Sequence, residues 1–133
     1  METAKLYTLA EKNGIVIDRT PLPENLSLSL KLGKKLFVGL DKDISGAVER
    51  VCLAHELGHC ETMSFYNIYS PLDVRGKHEN RADRWAINEL IPYMQYQKAL
   101  YEGYDNVYTL AEYFGVTVDF MQKAIKLYTP TPA

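Results

Sequence analysis

Two histidines four positions apart, His55 and His59, with Glu56 beside the first, constrain the middle of this 133-residue chain more than anything else in it. On a helix that spacing brings both imidazoles out of one face with Cβ atoms roughly 5 to 6 Å apart, close enough to share one tetrahedral ion. Glu56 is rotated about 100° from His55 around the axis, so it stands beside such an ion instead of on it. From there it can act as a base on a water at the ion's open position. A pentapeptide with two free positions also arises by chance, and two histidines satisfied by their neighbours on an ordinary helix is the plain alternative.

A hydrolytic zinc site takes three protein ligands and leaves the fourth position to water. Glu79, twenty residues after His59, is the candidate third ligand, and it opens a segment in which Glu79, Ala82, Asp83, Ala86 and Leu90 share one helical stripe. Asp83, one turn on, can accept the free N–H of a ligating histidine. The small Ala82 and Ala86 would let this second helix come close to the first. Alone, Glu79 and Asp83 in the company of Arg81 and Arg84 would read as a solvated face. The histidine pair upstream is what turns them toward a metal. Nitrogen and oxygen donors suit zinc, one ion per chain, and would also accept Mn2+ or Fe2+.

With those residues in place, the chain resembles the ImmA/IrrE family of small metallopeptidases. The likeness rests on His55-Glu56-Leu57-Gly58-His59, then Glu79, Ala82, Asp83 and Ala86, then Glu89-Leu90-Ile91-Pro92, then Leu110-Ala111-Glu112-Tyr113-Phe114-Gly115-Val116-Thr117. It spans about residues 35 to 128. Trp85 stands where the family usually has phenylalanine, which keeps the bulk. The resemblance implies zinc on His55, His59 and Glu79, Glu56 as catalytic acid/base, and a zincin-like fold. It also implies a protein substrate, a helix-turn-helix repressor whose cleavage derepresses a phage, a mobile element or a stress response. The alternative of another class is a zinc-containing binding module, an anti-repressor that sequesters its partner without cutting it.

Length and composition set the frame. At 47% apolar and 24% charged, the chain can bury one core and is short for two ordinary domains. We therefore expect one metallopeptidase-like domain over 1–133, with a catalytic core at about 35–100 and a C-terminal helical pair at about 106–128. Cys52 and Cys60 fall eight positions apart on the predicted helix, about 12 Å along its axis, too far for a disulfide. They read as free thiols of a reducing compartment. Cys52 shares the histidine stripe and has ligand chemistry, although a small buried hydrophobe is its ordinary role. No apolar run of signal-peptide length follows Met1, and none approaches ~18 residues, so the expectation is a cytoplasmic protein without membrane partners.

The remaining segments read as α+β. Thr3 to Asn13 has helical spacing and stops at Gly14. Ile15-Val16-Ile17 is a short strand, Pro21-Leu22-Pro23 breaks the chain, and Leu26, Leu28, Leu30 and Leu32 alternate with polar residues as a half-buried strand would. Gly33-Lys34 turns it into Leu36-Phe37-Val38-Gly39-Leu40. The expected architecture is a small antiparallel sheet of about three strands, packed with a mainly helical remainder. Asp43 or Ser45 caps the motif helix, which runs to about Met63, and Pro92 restarts a further helix.

Ser64 to His78 would then join the two metal-bearing helices as a long connection, a length that tends to be functional. Its Phe65, Tyr66, Tyr69 and Leu72 are apolar enough to wall a cleft. Tyr66, Tyr69 and His78 are its candidates for a donor to the oxyanion of a tetrahedral intermediate, although for any one of ten tyrosines packing is the ordinary role. Thr109 to Ile125 has the pattern of a helix-turn-helix. Its second helix opens on Val118, Asp119 and Phe120, where base-reading and phosphate-binding residues should be. With a net charge of −2 and a single basic pair, Lys34-Lys35, nucleic-acid binding is not the expected reading.

Overall fold

Three strands precede the helix that carries the histidine pair. The computed structural model describes residues 2–22, 24–67 and 69–130. Its elements are α1 (Thr3–Lys12), β1 (Ile15–Thr20), β2 (Ser27–Leu32), β3 (Lys35–Asp41), α2 (Gly46–Thr62), α3 (Leu72–Leu90), α4 (Tyr93–Tyr101), α5 (Val107–Phe114) and α6 (Val118–Tyr128). This is an α+β fold. Pro23, read as part of the break before β2, lies outside the described residues. Among the described residues no helix is long and apolar enough to cross a membrane.

The strand order is β1-β3-β2. β2 and β3 form the predicted antiparallel hairpin, with Gly33 at φ 63° in a two-residue turn. β1 runs parallel to β3, so the sheet is mixed and not antiparallel throughout. The reason is the connection after β1, which carries the chain past the place that β3 then fills.

The leucine alternation of β2 marks the face opposite to the expected one. Ser27 and Ser29 pair with Leu40 and Val38, the buried side of β3, and Ser27 reaches Glu56 on α2. Leu28 and Leu30 pair with Gly39 and Phe37 on the side away from α2, and Leu30 and Leu32 are 48% and 62% exposed. The strand's inner face lines a polar cleft, so its serines turn inward and its leucines outward.

α2 lies across β2 and β3, and α1 packs on β1. Leu6, Val38, Leu40, Leu53 and Leu57 form the core between them, and it continues through Leu90, Leu110 and Met121 into the helical half. Ser45 holds the cap position of α2 without a side-chain capping bond. α3 begins at Leu72, so Leu72 to His78 is helical and the connection between the metal-bearing helices is half the expected length. Pro71 and Asp73 are the start signals that this stretch carries, at the cap position and in the first turn. Few apolar residues follow them, so periodicity marked the helix only from Glu79. In the C-terminal pair, the side chains of Asn106 and Thr117 accept the N–H groups of Thr109 and Phe120, and Gly115 takes φ 67° between the helices. Phe120, Met121 and Ala124 bury one face of α6, which packs against α3.

Candidate metal centre

α2 presents both histidines, and the way it ends holds the second one. Met63 terminates the helix at φ 51° and ψ 41°, a left-handed conformation that costs a non-glycine residue about 1–2 kcal/mol. That bend lets the Ser64 N–H donate to the His59 carbonyl at 3.0 Å and brings the Ser64 carbonyl 2.6 Å from His59 Nδ1. A carbonyl only accepts, so Nδ1 must donate, and Nε2 is the atom aimed into the site.

α3 supplies the facing wall. Gly58, inside the histidine motif, meets Ala82 so closely that a Cβ there would lie 2.5 Å from the Ala82 carbonyl oxygen. This close approach sets Glu79 and Asp83 against the histidines. His55 Nδ1 lies 2.8 Å from Asp83 Oδ1, and its Nε2 lies 2.8 Å from Glu79 Oε2. His59 Nε2 lies 2.9 Å from Glu79 Oε1. Burial disfavours a charge on His55, but the bonds to Asp83 and Glu79 outweigh it and raise its pKa to about 10. Burial pushes the Glu79 carboxyl up, and the hydrogen bonds of His55, His59 and Tyr66 more than reverse this, holding it well below the carboxylate range.

The ligand atoms of His55, His59 and Glu79 all lie within 4.8 Å of one another, the one such group among the described residues. Ligands of a tetrahedral zinc stand about 3.4 Å apart, so small side-chain movements suffice to seat an ion. Lone pairs of two imidazoles and a carboxylate aimed at one point need a proton or a cation among them. The donor set, and the partners on both Nδ1 atoms, fit a metal ion.

Glu56 is 6% exposed, and the Ser27 hydroxyl donates to its Oε2 at 2.6 Å. A cleft of about 240 Å³ opens over these groups, lined by Ser27, Ser29, His55, Glu56, Tyr66 and Glu79. The Tyr66 hydroxyl donates to Glu79 Oε1 at 2.6 Å, and that bond, with burial, raises the phenol to about 12. Tyr69 is 87% exposed and stands outside the cleft. His78 packs its ring 6.3 Å from that of Tyr66, with a buried Nδ1 that has no partner, and does not line the cleft. Cys52 is half-buried one turn before His55, where burial pushes its thiol pKa up, and is not in the ligand cluster. Sequence reasoning missed Ser27 and Ser64. Ser64 had a faint signal in its place just past the end of the motif helix; Ser27 had none.

The model of the IrrE N-terminal-like domain, a peptidase family, matches residues 10–126. The chain belongs to this family. Its membership carries a metallopeptidase-type function, and the His55, His59 and Glu79 cluster is a possible site for the metal that such a function requires. The IrrE-like match begins well before residue 35, so it takes in β1 and β2, and with them Ser27. None of the curated proteins compared with the chain matches it.

Proposed function

We propose that the protein is a zinc metallopeptidase that makes a selective cut in a helix-turn-helix repressor in the cytoplasm. The observation that carries this is the convergence of two Nε2 atoms and Glu79 beside a buried glutamate whose second oxygen is left for chemistry. Held by His55, His59 and Glu79, one zinc ion per chain would polarise the scissile carbonyl and lower the pKa of water toward ~7. Glu56 takes the proton of the attacking water and passes it to the leaving amine, with Ser27 steadying Oε2. Asp83 and the Ser64 carbonyl keep the two rings in register. Tyr66, protonated at neutral pH, donates to the oxyanion that forms on the substrate carbonyl. β2 is a sheet edge beside the cleft, and an extended peptide can add to it as a further strand.

The test is incubation of zinc-loaded protein with the repressor encoded beside its gene, read by intact mass. A single cut is expected, and Glu56→Gln should keep metal and fold while losing about 10²- to 10⁴-fold in rate. His59→Ala and Glu79→Ala should lose the metal itself. An uncut repressor that travels with the protein on a sizing column would replace this reading with that of a zinc-containing binding module.

A further inference from the structure

The cleft over Glu56 continues past the metal centre. A second cavity of about 260 Å³ shares Ser27, His55 and Glu79 with it and reaches Asp83 and Lys123. A third, of about 530 Å³, begins at the same Asp83 and Lys123 and runs along the groove between α3 and α6. The groove adds Arg84 and Lys126, over Ile87 and Leu127. Its one acid is Asp83, and that carboxylate is engaged by His55 at 2.8 Å and Lys123 at 3.3 Å. Arg84 and Lys126 are exposed, and among the described residues neither pairs with an acid. A chain of net charge −2 therefore presents two uncommitted cations, on an apolar floor, in a groove that leads out of its metal site.

We infer that this groove is a specificity site for an acidic segment of the protein substrate, lying a few residues to one side of the scissile bond. Carboxylates would pair with Arg84, whose planar fork suits them, and with Lys126, while an apolar side chain covers the exposed Leu127 beside the buried Ile87. That the segment belongs to a substrate rests on the peptidase reading above. The charge complementarity does not. A nucleic-acid backbone is the poorer fit, because a track of phosphates calls for a longer run of cations than these two.

The test is fluorescence anisotropy with a short labelled peptide that alternates glutamate and leucine, on zinc-loaded Glu56→Gln protein so that the probe stays whole. Arg84→Glu with Lys126→Glu should weaken binding by about tenfold or more, and the two glutamine substitutions by less. Metal content and circular dichroism of each variant check that the fold is kept. The inference is overturned if the peptide does not bind, if charge reversal leaves binding unchanged, if a lysine-leucine peptide binds as well, or if duplex DNA binds more tightly. Peptide binding by a wild-type protein that cuts nothing would leave the groove standing and remove the peptidase reading; cleavage of a repressor without peptide binding would do the reverse.

Discussion

His55 holds a proton more tightly than a free imidazole does, and this couples the site to pH. Burial works against its charge, but Asp83 and Glu79 on its two nitrogens raise the pKa to about 10 from 6.5. Only neutral imidazole binds a metal, so ions compete with that proton throughout the neutral range. Raising the pH removes the competitor. Apparent metal affinity should climb, by up to about tenfold per pH unit, until pH nears 10, which competition against a chelator across pH would measure. The metal-free protein should move oppositely. A group whose folded pKa is raised contributes stability that is complete below the unfolded value, here 6.5, and is lost as pH rises through about 10. Its Tm should therefore fall over that window, and a flat profile would show that the His55 bonds to Asp83 and Glu79 do not form in solution. At this scale His55, Glu56 and His59 were legible because four-residue spacing on a helix is itself a geometry. Ser27 and Ser64 were not, since a hydroxyl or a carbonyl becomes a partner only where another segment delivers a nitrogen or a carboxylate to it.

Between elements, the contact of Gly58 with Ala82 decides whether a site exists at all. The atoms that an added Cβ would strike are backbone, 2.5 Å and 3.0 Å away, and backbone cannot rotate aside. Gly58→Ala must push α3 from α2, and Glu79 lies one turn from Ala82 on the displaced helix. The expected cost is about 1–3 kcal/mol by chemical denaturation. Metal affinity should drop as well, by about 10- to 100-fold, as when groups that position ligands are lost. Stability and affinity both equal to wild type would mean that the helices stand further apart than this. The small Ala82 and Ala86 announced this approach in sequence. The strands were less transparent: alternation in β2 located a strand and its period, yet could not say that the polar face would be the inner one. That depended on a cleft built by α2 and the residues after it.

Across the molecule, three separated segments close on one point: β2 brings Ser27, α2 the histidines with Glu56, and α3 Glu79 with Asp83. A metal bound there ties α2 to α3 and has no such site in the unfolded chain, so it should stabilise the whole fold. At a hundredfold excess over Kd the gain is about 2.7 kcal/mol, a rise in Tm of roughly 10 °C by calorimetry. Chelation should reverse it and Glu79→Gln should abolish most of it; an unchanged Tm on loading would count against a metal bridging the two helices. The helical period of α2, the stripe of α3, the hairpin turn at Gly33 and the residue types able to hold a metal could all be read from the order of residues, because they follow from local spacing and backbone preference. Tertiary structure alone decided that β1 runs parallel to β3, that the β2 serines face the cleft, that Tyr66 and not Tyr69 reaches Glu79, and that Arg84 and Lys126 flank one groove. Each of those depends on which distant segments pack together, and burial of apolar surface chooses among packings without regard to distance along the chain.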